Sequence, residues 1–244
     1  MLLHKILLPV LAPLLLLQGK LVRARTPHLP EAEGARQGQA GSERTRPASG
    51  KELRVLILGD SAAAGVGCDT QQQAVTGQWV AQLSQTTPVS WQLVAKSSLT
   101  CAQVLTLLKE TQLTESRFDV VLVSVGVNDV TRRTSTSQWQ ADLEAMSRYL
   151  NEHLGVSRIL YTALPPMHKF PALPQPLRWI LGQRAKLLNQ YLAQHCQRHN
   201  YTHYLNFEVP YEAQFIAADG YHPSTAAAEL WARTAAEAYS EENK

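Results

Sequence analysis

Cysteine is scarce in this chain. Cys68, Cys101 and Cys196 are the three among 244 residues. They form no C-x-x-C pair and have no clustered histidines beside them, which argues against a structural zinc site. An odd count leaves at least one thiol free. Buried free cysteine is the expectation, and one disulfide stays open in an oxidising compartment. Charge is also thin, at 18% of residues with a net charge of +3. The first 50 residues hold seven Lys/Arg against three Asp/Glu, or +4, and the remainder is −1. The part of the chain that can fold therefore has no dense basic stripe, and no aromatics are interleaved with basic residues. The electrostatic footprint of a nucleic-acid binder is absent. Gly59-Asp60-Ser61, followed by Gly65 and Gly67, lacks the Gly-Lys-Ser/Thr of a phosphate loop and misses the G-x-G-x-x-G spacing. No internal repeat is visible.

The length and the 45% hydrophobic fraction suffice for one domain with a substantial core. Residues 1–25 read as an apolar signal peptide or membrane anchor: Lys5 precedes an apolar run from Ile6 to Leu17, broken only by Pro9 and Pro13. That run is short of the roughly 20 residues a spanning helix needs, and no small-x-small cleavage site follows it. A helix lying in the membrane interface, with Lys20, Arg23 and Arg25 near headgroups, is the alternative. Export or membrane association is expected, with the compartment open. Residues 26–51, rich in Pro, Gly, Ala, Glu and Arg without apolar periodicity, read as a flexible linker. The domain is expected over 52–242.

Within it, apolar strands at 53–58, 91–95, 119–125, 158–163 and 203–206 alternate with amphipathic helices at 77–85, 102–109, 137–153, 177–199 and 225–239. Five β-α units predict a single three-layer α/β/α domain around a five-stranded parallel sheet of flavodoxin-like type. Ligands of such sheets collect beyond the carboxyl ends of the strands. Ser61, Asn128, Asp219 and His222 all fall there.

A serine at the mouth of an apolar strand, with a carboxylate and histidine three residues apart in the last loop, supplies the groups of nucleophilic acyl transfer. His222 would accept the Ser61 proton, and Asp219 would hold its ring. The Asn128 amide, at the end of a strand neighbouring that of Ser61, is placed to donate to an oxyanion. Asp60 and Asp129 are expected to support the turns around Ser61 and Asn128. The Pro-rich stretch 164–179 either walls an acyl pocket or packs Phe170, Leu173 and Trp179 onto the domain. His168 within it, like the remaining histidines, receives no role.

Gly-Asp-Ser at Ser61, Gly-x-Asn-Asp at Asn128, and Asp-x-x-His at Asp219 and His222, in this order, resemble the motifs of the SGNH, or GDSL-type, hydrolases. A fourth motif departs. Where that family has a glycine whose N–H completes the oxyanion hole, this chain reads Lys96-Ser97-Ser98-Leu99, which puts Ser98 at the glycine position. The resemblance implies an esterase with an acyl-enzyme intermediate. Its catalytic residues would be Ser61, Asp219 and His222, its oxyanion hole Ser61, Ser98 and Asn128, and it would need no metal or organic cofactor. The implied partner is a small-molecule or lipid-like acyl ester, with thioesterase and lysophospholipase chemistry as close variants. Two other readings stay open: a degenerate member kept as a binding protein, and a receiver-like module using Asp60 and Asp129. The second lacks the lysine such a pocket needs after the last strand, near Asn206.

Overall fold

The computed structural model describes residues 2–41, 52–207, 209, 210 and 212–241, of which 2–10 and 241 are described by backbone alone. The elements run α1 (Leu2–Arg25), β1 (Gln37–Ala40), β2 (Leu53–Gly59), α2 (Val75–Leu83), β3 (Val89–Ala95), α3 (Cys101–Glu110), β4 (Val120–Ser124), α4 (Val127–Arg132), α5 (Thr136–Arg148), β5 (Arg158–Thr162), α6 (Leu177–Arg198), β6 (Thr202–Leu205) and α7 (Thr225–Glu241). A π-helical turn, Tyr149–His153, extends α5.

The strand order is β1-β3-β2-β4-β5-β6, parallel throughout except for β1 on the β3 edge. The expected five parallel strands are present, and β1 makes the sheet six-stranded and mixed. Four residues without apolar alternation gave that strand no signal. It pairs by backbone bonds and is mostly exposed.

Both faces of the sheet are covered because its strands are apolar at odd and even positions alike. Leu56 and Leu58 of β2 point into a core shared with Val104 and Leu108 of α3, Trp139 and Met146 of α5, and Leu188 and Leu192 of α6. Val55 and Ile57 point the other way, against Val75 and Trp79 of α2 and Trp231 and Ala235 of α7. Each fully buried large side chain contributes roughly 1.5–3 kcal/mol relative to exposure. The polar ends of two core tryptophans are satisfied: Trp139 Nε1 donates to Leu188 O and Trp231 Nε1 to Thr162 Oγ1, both at 3.0 Å. Cys68, Cys101 and Cys196 are free and buried.

One feature of the N-terminal region differs from expectation. Part of the segment expected as a linker is built onto the domain. Ala32 is buried, Glu33 bridges Thr70, Leu93 N donates to Arg36 O at 2.7 Å, and β1 follows. The rest of that segment, 42–51, lies outside the described residues. The apolar run at the N-terminus is helical and continues to Arg25. Leu15 is buried, and the Gln18 side chain bonds Gln175 O and Leu177 N at the start of α6. No described helix is long and apolar enough to cross a membrane.

β2 pairs with β3 on one side and β4 on the other. The chain thus reverses its direction of travel across the sheet at β2, the switch point where open α/β sheets form their ligand crevice. Gly59 is in register with Ala95 and Ser124, so the loops after β2, β3 and β4 leave the sheet at one level.

Candidate active site

Ser61 sits in the first turn after β2 and is half-buried. That turn is tight: Ala64 N donates to Asp60 O and Val66 N to Ser61 O. Gly59 lies so close to β4 that a Cβ there would meet Ser124 O at 2.4 Å. The Ser61 hydroxyl is 2.8 Å from His222 Nε2, across 161 positions of sequence. On the other side of the ring, His222 Nδ1 is 2.5 Å from Asp219 Oδ2. The second oxygen, Oδ1, accepts from Tyr221 N at 2.9 Å and His222 N at 3.1 Å, so the loop closes around its own carboxylate.

Burial pushes the Asp219 carboxyl up, but the bonds from the His222 ring and from the His222 and Tyr221 amides outweigh it and leave the group below its ordinary value. An ionised carboxylate only accepts, so Nδ1 carries the ring proton and Nε2 turns its lone pair to the Ser61 hydroxyl. This geometry can withdraw the Ser61 proton and stabilise the resulting imidazolium. Two neighbours hold the histidine loop in place. A Cβ at Gly67, where φ is +102°, would lie 2.4 Å from Pro223 O, and the Tyr221 ring meets Phe170 edge-on at 5.9 Å between centroids. Phe170 and Leu173 are buried, while Trp179 is 41% exposed. For the first two, stretch 164–179 is therefore packing.

Asn128 opens α4 after Gly126, whose φ of +116° turns the chain sharply out of β4. One N–H of Asn128 Nδ2 donates to Asp60 Oδ2 at 3.0 Å, while Asp60 Oδ1 accepts from Ala62 N at 3.2 Å. Asp60 thus ties the serine turn to the asparagine, and a second N–H on the Asn128 amide stays available. Burial raises the Asp60 carboxyl to about 6, against the lowering effects of the Ala62 amide, His222 and Asn128. Asp129 is buried with a partner on each carboxylate oxygen: Oδ2 accepts from Cys101 N at 3.0 Å and Oδ1 from Thr134 Oγ1 at 2.9 Å. It fastens the start of α3 to α4. Ser98, in the turn between β3 and α3, has φ +68°. This is the left-handed conformation a glycine would take without cost, held here by a serine.

A second set of similar residue types lies between α5, α6 and β5. Ser147 Oγ is 2.8 Å from both His195 Nε2 and Tyr161 OH, and His195 Nδ1 is 3.8 Å from Glu144 Oε2. Ser147 is fully buried and His195 is 2% exposed, so no ester reaches this hydroxyl. It is a polar knot in the core. Glu144, His195 and His199 offer ligand atoms within 4.8 Å of one another, the arrangement among the described residues that could hold a metal ion. The members already bond each other, with His199 Nε2 at 3.0 Å and Arg148 Nη2 at 3.6 Å from the Glu144 carboxylate. The motifs pointed to the first set through position at strand ends. The second set has no such position.

Several groups fixing the site carried no sequence signal. Arg132 Nη2 donates to Ser98 O at 2.8 Å, and Glu31 accepts from Ser97. Neither stands in a recognisable motif; both act on backbone groups distant along the chain.

Among solved structures, the chain is similar to the lipase Lip_vut3 from a goat rumen metagenome, with a TM-score of 0.61 and 17% identity over 76% of this chain and 97% of that one. A lipase/acylhydrolase from Enterococcus faecalis gives 0.57 and 18% over 78% and 96%. The acetylxylan esterase Axe2 from Geobacillus stearothermophilus gives 0.53 and 18% over 76% and 93%. At these identities the likeness is one of fold. No curated protein matches the chain. The sequence itself, over residues 57–230, matches the GDSL-like lipase/acylhydrolase family, a span from within β2 into α7 that includes every one of the strand-end motifs. The chain belongs to that family, and it is a carboxylic ester hydrolase.

Proposed function

We propose that this chain cleaves acyl esters through a Ser61-His222-Asp219 triad and an acyl-enzyme intermediate. The observation that supports this reading is the continuous relay from the half-buried Ser61 through His222 to the buried Asp219, at the switch point of the sheet. His222 Nε2 takes the Ser61 proton as Oγ attacks the ester carbonyl. The negative charge that develops on the carbonyl oxygen is met by the amides of Ser61 and Ser98 and the unshared N–H of Asn128. His222 then returns the proton to the departing alcohol, and water enters by the reverse of these steps to release the acid. The substrate class is a small or lipid-like acyl ester. Ser61→Ala should abolish hydrolysis of p-nitrophenyl acetate with an unchanged melting curve, as should His222→Ala. A Ser61→Ala variant retaining most of the activity refutes the mechanism.

The same proposal extends to location. On α1, Leu14, Leu16, Leu17 and Leu21 are 42–60% exposed beside exposed Lys20, Arg23 and Arg25. Apolar side chains with flanking cations suit an anionic membrane surface, and export or membrane association through residues 1–25 is the reading they support. Co-sedimentation with vesicles containing phosphatidylglycerol, lost in Leu16→Glu/Leu17→Glu, is the expected result. Equal binding by that variant contradicts it.

A further inference from the structure

The oxyanion turn is bound to a part of the chain that lies outside every catalytic motif. Ser98 at φ +68° is a β-carbon residue in a region that disfavours one, a strained conformation that persists only where neighbours enforce it. The enforcement is visible on both sides. Lys96 N donates to Gly59 O at 3.2 Å before the turn, and Cys101 N to Asp129 Oδ2 at 3.0 Å after it. Arg132 Nη2 reaches Ser98 O at 2.8 Å. The remaining contact comes from the N-terminal arm. Glu31 Oε1 accepts from Ser97 N at 2.7 Å and from Ser97 Oγ at 2.8 Å, two short bonds from one carboxylate oxygen to the turn.

Glu31 is itself fixed. Its other oxygen, Oε2, receives Arg36 Nη1 at 3.0 Å, and Arg36 Nη2 donates to Ala95 O at 2.6 Å, the last residue of β3. The arm therefore closes a loop of bonds from the end of β3, through Arg36 and Glu31, to the peptide immediately before Ser98. Burial pushes the Glu31 carboxyl up, but the Ser97 amide and hydroxyl and the Arg36 guanidinium outweigh it, so the acceptor stays ionised. Gln71 Nε2 donates to Ala32 O at 3.1 Å and Ala64 O at 3.0 Å and so seats the arm against the serine turn as well.

We propose that Glu31 is a positioning residue of the active site: by gripping the Ser97 amide and hydroxyl it holds the left-handed Ser98 so that the Ser98 N–H is presented to the developing oxyanion. The proposal rests on the reading of Ser98 as an oxyanion donor. The arm is then the counterpart of the missing glycine. A chain that places serine where φ is positive needs an external brace, and Glu31 with Arg36 supplies it.

The test uses the full chain and three variants, with kcat and KM for p-nitrophenyl acetate and thermal melting measured for each. Glu31→Ala removes the acceptor and is expected to lower kcat by about tenfold or more with KM within threefold, a partial loss beside the 10²–10³-fold of a deleted donor. Glu31→Asp keeps the charge but withdraws the carboxylate by one methylene, and is expected to lose kcat similarly. Glu31→Gln keeps the length and an acceptor oxygen for Ser97 but sets an amide N–H₂ against Arg36 Nη1, so its kcat should lie well above that of Glu31→Ala while falling somewhat below wild type. Hydrogen exchange over residues 96–99 should quicken in the first two and clearly less in the third. A merely structural carboxylate would lower the melting temperature without this division between Asp and Gln. Glu31→Ala and Glu31→Asp both within twofold of wild-type kcat overturn the proposal, as does a Gln variant impaired like the Ala variant. Ser61→Ala measured alongside separates the two readings: activity surviving that change removes the mechanism itself, whereas loss of activity there with indifferent Glu31 variants removes only the brace.

Discussion

Gly67→Ala tests whether the serine and histidine loops are held at a distance that chemistry requires. The added Cβ would lie 2.4 Å from Pro223 O, whereas ordinary contacts begin at 3.4 Å, so backbone must yield by about 1 Å. Ala217 Cβ would also lie within 2.9 Å, and φ of +102° strains any side chain at this position. Pro223 follows His222 directly, so the displacement falls on the ring that stands 2.8 Å from Ser61 Oγ. A misplacement of about 1 Å between reacting groups costs roughly 100-fold, or about 2.7 kcal/mol of barrier. Hydrolysis of p-nitrophenyl acetate should therefore fall by about two orders of magnitude in kcat/KM while circular dichroism still shows a folded α/β protein. Gly38→Ala is the control, because its Cβ meets nothing closer than Trp91 Nε1 at 3.4 Å on the edge strand, and it should leave kcat/KM unchanged. A folded Gly67→Ala protein within threefold of wild type would show that the two loops are not held in register by this contact.

Asn128→Ala removes one of the proposed oxyanion donors and should lower kcat by about 10²–10³-fold with little change in KM; a loss confined to KM speaks against the role. Asp60 gives a pH signature. Its folded carboxyl titrates near 6 against 3.8 unfolded, so between those values the folded state holds a proton the unfolded state has released, and stability falls as pH rises. The total is about 3 kcal/mol. Asp60→Asn abolishes it, and urea unfolding at pH 4, 5, 6 and 7 should show the variant gaining on wild type across that window. A constant difference contradicts the assignment. Ser147→Ala leaves His195 Nε2 and Tyr161 OH short of a partner and should cost about 1–3 kcal/mol by thermal unfolding, with kcat unchanged; a fall in kcat at full stability would instead give that serine a catalytic part.

Most of the parallel strands were legible because they are short apolar runs rich in β-branched residues, and Ser61, Asn128 and the Asp219-His222 pair stand at or beyond their carboxyl ends, where open α/β sheets bind ligands. Helix ends were read to within a few residues for the same reason of periodicity. The arm was not legible. Glu31, Arg36 and Gln37–Ala40 carry no apolar period, and their order comes from backbone pairing and from single bonds to residues some 60 positions away. A Pro- and Gly-rich composition reads as a tether when nothing local shows what it binds. The glycine-position serine was legible as a residue but not as a conformation, since its positive φ is imposed by Glu31, Arg132 and Asp129 together with the flanking turn. The second Ser-His-Glu set, in turn, is recognisable only by proximity in space, and burial separates it from a reactive one.

The most direct measurement is covalent: treat the full chain with a fluorophosphonate probe and locate the adduct by mass spectrometry of its peptides. One adduct per chain is expected, on Ser61, formed at a rate that collapses in His222→Ala. An adduct on another serine, or labelling of Ser61 indifferent to His222, would contradict the proposed triad.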